Sequence, residues 1–235
     1  MSTKPDRMKL FLLIGQSNMA GRGELTGSEP AAAEGIWTLA QDLTWKPAAD
    51  PLHFDKPDIV GVGPGLSFAE QLVQGGFPQP VGLIPCAVGG TRIERWVKGA
   101  DLYEQAVQRA QAALEAGELS GILWAQGESD TGELELAQAY KERFFSLIRD
   151  VRADLGCGDR VPFLAAKLGT FLREEASPYT RFINEAVEAA QENYANYGWV
   201  DTAGLTHKGD DLHYDADSAR ALGRRFAERY VQMNY

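Results

Sequence analysis

The stretch KLFLLIGQSNM, residues 9–19, decides the fold class. It begins with an apolar run in which only Lys9 is polar, and the run ends at Gly15. A short apolar run ended by glycine is typical of a strand that is buried on both faces of a parallel sheet. The polar residues that follow would then lie at the carboxyl end of this strand, where open α/β sheets bind their ligands.

Further runs of the same kind predict a mostly parallel sheet of five strands. They are residues 81–88, 121–126, 161–168 and 199–202. The longer stretches between them carry apolar residues at helical spacing, for example Leu102, Ala106, Ala110 and Leu114. Alternating strands and helices favour a three-layer α/β/α sandwich, because right-handed crossovers place helices on both faces of the sheet.

One segment breaks this alternation. Residues 21–64, approximately, are rich in Gly, Pro, Asp and Trp and show no clear period. We interpret the segment as an irregular insertion within a single domain that spans residues 1–235, a size that single α/β domains commonly reach. Long ordered loops after a strand often shape binding sites.

Composition excludes several classes of partner. The formal net charge is −10, from 33 acidic and 23 basic residues, and this charge repels both nucleic acid and anionic membranes. Cys86 and Cys157 have neither metal-type nor redox-type spacing, so we interpret both as ordinary small residues. The apolar run near the start is too short for a secretion signal or a membrane span, and we expect a cytoplasmic protein. The sequence does not indicate an oligomeric state.

The residues that directly follow the predicted strands contain the parts that acyl transfer needs. A serine hydroxyl is a poor nucleophile until a base takes its proton, and the base needs an acid that orients it. Ser17, His213 and Asp210 can take these roles. The anionic intermediate needs hydrogen-bond donors, which the backbone N–H of Ser17, an N–H of Gly89 or Gly90, and the amide of Gln126 can supply. This chemistry requires no metal and no cofactor.

The chain has only three histidines from which to choose the base. His53 falls in the insertion, and we expect it at the surface. His207 lies near His213 and would be almost as good a candidate. The Asp-x-x-His spacing of Asp210 and His213 favours His213, because a single turn can bring the carboxylate back to the imidazole.

Each of these residues also has an ordinary structural interpretation. A serine after a strand is often a helix cap. Two adjacent glycines are often a tight turn. Acidic residues such as Glu128 are often solvated. Their predicted position at one edge of one sheet is what favours the catalytic interpretation.

Four sequence blocks, taken together, resemble the motif blocks of the SGNH hydrolases. Within that superfamily the chain is most similar to the sialate O-acetylesterase-like group and to family 6 carbohydrate esterases, and both the order and the spacing of the blocks match. The blocks are residues 15–19 (GQSNM), 89–91 (GGT), 124–130 (WAQGESD) and 210–213 (DDLH).

The resemblance implies a flavodoxin-like fold and hydrolysis of acetyl esters on sugars. It implies Ser17 as nucleophile, His213 as base and Asp210 as the orienting acid. Glu128 matches an acidic position that some members use as an additional or alternative partner of the histidine. Gln126 stands where the wider superfamily often has an asparagine as oxyanion donor.

We therefore expect a carboxylic ester hydrolase that acts on a small acetylated carbohydrate. The alternatives are a lipase-like or thioesterase-like hydrolase of the same superfamily, or a non-catalytic carbohydrate-binding protein on the same scaffold. The side chains that we expect nearest the substrate are Gln16, Asn18, Thr91, Arg92 and Trp96.

Overall fold

A seven-stranded sheet forms the centre of the protein, which a computed structural model describes over residues 7–27 and 34–234. Six strands are parallel, and β3 at one edge pairs antiparallel with β2. The strand order is β3-β2-β4-β1-β5-β6-β7. The strands are β1 (Met8–Gly15), β2 (Ile36–Leu39), β3 (Trp45–Pro47), β4 (Val81–Pro85), β5 (Gly117–Ala125), β6 (Phe163–Ala166) and β7 (Tyr197–Val200).

The prediction of five strands is wrong by two, because β2 and β3 lie inside the segment that we interpreted as irregular. They are short, and β3 ends at Pro47, so neither has a clear period of its own. Strand β2 forms because its backbone pairs with β4, and this pairing cannot be predicted from the local sequence. The part of the predicted insertion at residues 28–33 lies outside the described residues.

Helices cover both faces of the sheet, and this explains why β1 is apolar at nearly every position. Leu10 and Leu12 belong to one core cluster together with α3, α4 and α5, whereas Phe11 and Leu13 belong to the other, together with α2 and α6. Alternate residues therefore face opposite helical layers. The helices are α1 (Ser17–Ala20), α2 (Pro64–Gln74), α3 (Asp101–Ala113), α4 (Leu134–Asp154), α5 (Thr180–Asn193) and α6 (Ala216–Asn234).

The five strands that the sequence predicts have the order β4-β1-β5-β6-β7. This is the flavodoxin order, in which the chain winds in opposite directions on the two sides of β1, and a crevice opens where the direction changes. The segments after β1, β4 and β5 meet there. In the described ranges, no helix is both long and apolar enough to cross a membrane.

Candidate active site

A sharp turn between β1 and α1 presents Ser17 at the crevice. Gly15 has a φ of +134°, and a Cβ on it would lie 2.1 Å from the carbonyl oxygen of Ala125, so only glycine fits. Ser17 is the first residue of α1 and lines a cavity of about 390 Å³. The lining residues are Gln16, Ser17, Arg22, Lys56, Ile59, Gly89, Gly90, Glu128, Ser129, Leu212 and His213.

Three side chains form a continuous chain of hydrogen bonds at this cavity. The Oγ of Ser17 lies 3.0 Å from Nε2 of His213, and Nδ1 of His213 lies 2.7 Å from Oδ2 of Asp210. Oδ1 of Asp210 also accepts the backbone N–H of His213, at 2.8 Å, so one turn holds both residues. With Nδ1 as the donor to Asp210, Nε2 is free to accept the serine proton.

The site shifts the pKa of both His213 and Asp210. Burial lowers the pKa of His213 below its ordinary value of 6.5, although the hydrogen bond and charge of Asp210 oppose the shift. For Asp210, burial alone would raise the pKa. The hydrogen bonds from the backbone and ring of His213 and from the Leu212 N–H outweigh burial, so the pKa of Asp210 is lowered. The imidazole is therefore neutral, and the carboxylate ionised, near neutral pH.

The second candidate base, His207, has a structural role in the same loop. Its Nδ1 accepts the N–H groups of Gly209 and Asp211, at 3.2 and 2.8 Å. The loop backbone also closes on itself through the Lys208 N–H and the His213 carbonyl, at 3.0 Å. His207 therefore shapes the loop that carries His213.

The two glycines after β4 differ in what their N–H groups do. The N–H of Gly89 donates to Oδ2 of Asp55, at 2.8 Å. Gly90 has a φ of +74°, which favours glycine, and it borders the cavity. In the part of the chain that the structure describes, the N–H groups of Ser17 and Gly90 have no protein acceptor.

Gln126, after β5, is 1% exposed and ties two loops together. Its Nε2 donates to the carbonyl of Thr91, at 2.9 Å, and to Oδ2 of Asp130, at 2.6 Å. Both partners are acceptors, which fixes the orientation of the amide. Asp130 in turn accepts the N–H of Ile93, at 3.0 Å, and burial raises the pKa of Asp130 to about 6. Both N–H groups of the amide are thus used within the protein.

Comparison with known proteins identifies the family. The family model described as carbohydrate esterase, sialic acid-specific acetylesterase, matches residues 7–232. The protein belongs to this family. The esterase is 33% identical over 242 residues to a probable carbohydrate esterase of Arabidopsis thaliana, a match that covers 95% of the chain and 90% of the relative. It is a carboxylic ester hydrolase.

Solved structures agree with the fold of the esterase. A crystal structure of an Arabidopsis thaliana protein matches with a TM-score of 0.86 and 31% identity, over 96% of this chain and 98% of that one. NanS matches with a TM-score of 0.80 and 21% identity, over 97% and 98%. A carbohydrate acetylesterase of Xanthomonas citri matches with a TM-score of 0.67 and 21% identity, over 93% and 55%. The last two support the fold alone.

Arg22 and Asp55 form a buried ion pair that the sequence does not predict. Nη2 of Arg22 lies 2.6 Å from Oδ2 of Asp55, with side chains 2% and 1% exposed. Burial alone would raise the pKa of Asp55, but the hydrogen bonds from Arg22 and the Gly89 N–H, with the charge of Arg22, lower it. A Cβ on Gly89 would lie 2.2 Å from Nη2 of Arg22. The pair fixes the loop after β4, but nothing in the spacing of its members indicates their contact.

Three residues that we predicted near the substrate have other roles in the structure. Trp96 is fully buried and packs edge-on against Trp124, with 5.6 Å between ring centroids, so it is a core residue. Thr91 is 2% exposed, and its Oγ accepts the indole N–H of Trp96 at 3.1 Å. Arg92 forms an ion pair with Glu133, at 2.6 Å, and does not line the cavity.

Gln16 and Asn18, also predicted to contact substrate, differ in position. Gln16 lines the cavity, and its Oε1 accepts the N–H groups of Gly127 and Ser129, both at 3.3 Å. Asn18 is 3% exposed and does not line the cavity. Its amide contacts Glu128 and the loop that carries His213.

The expectation that His53 lies at the surface is wrong. The residue is 5% exposed, and burial lowers the pKa of its imidazole to about 4. His53 lies two residues before Asp55 in sequence, so the segment that brings Asp55 to the loop after β4 also buries His53. Hydrophilic composition alone cannot reveal such burial.

Proposed function

We propose that the protein hydrolyses acetyl esters on carbohydrates, with Ser17 as nucleophile, His213 as general base and Asp210 as the orienting acid. The hydrogen-bond chain from Ser17 through His213 to Asp210, at the edge of a cavity, carries this proposal. The carbohydrate part rests on membership of the carbohydrate esterase family.

The proposed chemistry follows the hydrogen-bond chain from Ser17 to Asp210. Nε2 of His213 takes the Ser17 proton as Oγ attacks the ester carbonyl, and the imidazolium that forms faces the ionised Asp210. His213 then gives the proton to the sugar oxygen as the bond between this oxygen and the acyl carbon breaks, so the sugar leaves with a free hydroxyl. Water attacks the acetyl-enzyme in the second half of the reaction, with the same base, and acetate leaves.

We assign the oxyanion donors to the backbone N–H groups of Ser17 and Gly90. Both have no protein acceptor among the described residues, and both residues border the cavity. The N–H of Gly89 is used by Asp55, and the amide of Gln126 by Thr91 and Asp130. Gly89 and Gln126 would then hold the loop after β4 in place. The N–H of Gly90 in this loop would not need to move as negative charge develops on the ester oxygen.

The cavity lining favours a short acyl group. Ile59 and Leu212 are the only apolar side chains, apart from glycine, among its described lining residues, and they are 55% and 37% exposed. A long acyl chain gains about 0.8 kcal/mol for each CH₂ that it buries, but two side chains this exposed would leave most of an octanoyl chain in water. A small acyl group needs no further apolar surface, so this cavity suits an acetyl ester.

We expect kcat/KM for p-nitrophenyl acetate to exceed that for p-nitrophenyl octanoate by about tenfold or more, given the apolar area that the octanoyl chain leaves in water. Release of p-nitrophenol by the purified protein measures both. A panel of O-acetylated sugars then identifies the alcohol. A preference for octanoate would favour the lipase-like or thioesterase-like alternative and would contradict the short-acyl assignment.

The acid limb of kcat/KM should have its midpoint below pH 6.5. The base acts only when neutral, and burial, assisted by the charges of Lys208 and Arg22, lowers the pKa of His213. A lowered pKa keeps the base active to lower pH. In Asp210→Asn the midpoint should fall further, because Asp210 opposes the shift. A pH–rate profile of both proteins measures this, and a midpoint above 6.5 in the wild type would contradict it.

A further inference from the structure

The loop that carries His213 must be placed against an element that is distant in sequence. His213 lies between β7 and α6, whereas Ser17 follows β1, 196 residues earlier. The loop between β7 and α6 has no regular structure beyond an isolated bridge between His207 and Tyr214. Something other than secondary structure must therefore set the distance between the base and the nucleophile.

Asn18, the neighbour of Ser17, makes this connection. Its Nδ2 donates to the carbonyl of Leu212, and its Oδ1 accepts the N–H of Tyr214, both at 3.1 Å. Leu212 and Tyr214 are the residues on either side of His213. A primary amide offers the same donor and acceptor as a peptide group, so Asn18 binds the loop as a neighbouring strand would.

Glu128 completes the arrangement from a third element. Its Oε1 accepts the other N–H of the Asn18 amide, at 2.5 Å, so the nitrogen faces Glu128 and Leu212 and the oxygen faces Tyr214. Burial raises the pKa of Glu128, although the hydrogen bond from Asn18 opposes the shift. His213, by contrast, has its carboxylate partner in Asp210.

We infer that Asn18 is a positioning residue that holds His213 against Ser17, and that Glu128 acts on His213 only through Asn18. The inference rests on the proposed function, since it needs His213 as the base. It replaces the roles that the sequence suggested for both residues: Asn18 does not contact the substrate, and Glu128 is not a partner of the histidine.

The test begins with Asn18→Ala. A loosened loop misplaces the base, and a misplacement of about 1 Å can cost on the order of 10²-fold in rate. We expect kcat for p-nitrophenyl acetate to fall about 10²-fold, with KM within about threefold of the wild type, because no substrate contact is lost. A raised KM with unchanged kcat would overturn the inference in favour of substrate binding, and so would a loss of less than about threefold in kcat.

Asn184→Ala is the matched control. The Asn184 amide also ties down a loop after a strand, since its Oδ1 accepts the N–H of Leu168 at 2.9 Å, but this loop carries none of the proposed catalytic residues. Thermal unfolding of both variants measures the structural cost of removing such an amide. We expect some loss of Tm in both and a loss of kcat in Asn18→Ala alone. Equal losses of kcat in the two variants would overturn the positioning role.

A double-mutant cycle tests the role of Glu128. If Glu128 acts only through Asn18, then Glu128→Ala lowers kcat in the wild-type background and has no further effect in Asn18→Ala. Glu128→Gln keeps an acceptor for the Asn18 amide, so it should lose less kcat than Glu128→Ala. A full additional loss in the double variant would show that Glu128 acts on His213 by another route and would overturn this part of the inference.

Asn18→Asp gives a second variant if the alanine variant does not fold. The carboxylate keeps the acceptor for Tyr214, lacks the donors to Leu212 and Glu128, and has almost the same shape. We expect kcat to fall at least tenfold, and unchanged kcat would overturn the inference. Failure of the proposed function would look different: Ser17→Ala would keep the activity of the wild type, whatever the Asn18 variants do.

Discussion

Ser17→Ala is expected to lower kcat/KM for p-nitrophenyl acetate about 10⁴-fold or more. In the proposed mechanism the Oγ of Ser17 forms the acyl-enzyme, and among the described residues no other side chain hydrogen-bonds to Nε2 of His213. A loss of this size is about 5.4 kcal/mol of transition-state stabilisation. Residual activity would come from the oxyanion donors and from binding alone. Release of p-nitrophenol at equal protein concentration measures the effect.

Ser129→Ala is a matched control for this substitution. Ser129 also lines the cavity, but it is the backbone N–H of Ser129 that forms a hydrogen bond, to Oε1 of Gln16. The control should retain activity within about threefold of the wild type. Equal activity of Ser17→Ala and the wild type would contradict the assignment of the nucleophile.

His213→Ala is expected to cause a loss similar to that of Ser17→Ala, about 10⁴-fold in kcat/KM. Residues of a catalytic triad act as a unit, so removing the base disables the nucleophile almost as completely as removing the hydroxyl. The variant keeps the backbone hydrogen bond between residue 213 and Asp210, which helps preserve the loop. Steady-state kinetics on the acetate ester measure the loss.

His207→Ala separates the chemistry of His213 from the shape of the loop. His207 lies in the same loop and holds it through Gly209 and Asp211, but it has no contact with Ser17. Its removal should cost clearly less than the removal of His213. A loss in His207→Ala that equals or exceeds the loss in His213→Ala would reverse the choice of base.

The parallel core of the fold was predictable because burial on both faces leaves a strong pattern. Every residue from Leu10 to Ile14 is apolar, and alternate residues pack against opposite helical layers. A short run of this kind is typical of a strand that is buried on both faces. β2 and β3 were not predictable in the same way. Each depends on pairing with a neighbour that lies elsewhere in the chain, and Pro47 ends a strand of only three residues.

The proposed site was predictable where its residues follow strands of the parallel sheet, or where a short spacing joins them, as it does Asp210 and His213. Ser17 and Gln126 follow β1 and β5, and the topology of a parallel sheet brings these ends together. Asp55 could not be found in this way, because its partner Arg22 lies 33 residues earlier in a segment without a period. The prediction that Trp96 lies near the substrate rested on its closeness in sequence to the glycine motif. Closeness in sequence does not reveal that its ring packs in the core, against Trp124.

Asn18 shows a further limit of a motif. Its place beside Ser17 suggested a contact with the substrate, but its side chain is buried against the loop of His213. Which way a side chain points from a one-turn helix depends on what packs against that helix. In this protein the packing partner comes from the far end of the chain.

Covalent labelling tests the central claim most directly. Diethyl p-nitrophenyl phosphate is attacked at phosphorus by an activated serine, which releases p-nitrophenolate and leaves a stable phosphoserine ester. We expect one diethylphosphoryl group per chain, located by peptide mass mapping at Ser17, with loss of esterase activity in proportion to labelling and no labelling at that peptide in Ser17→Ala. An active enzyme that is not labelled, or one that is labelled and inactivated at another residue, would contradict Ser17 as the nucleophile.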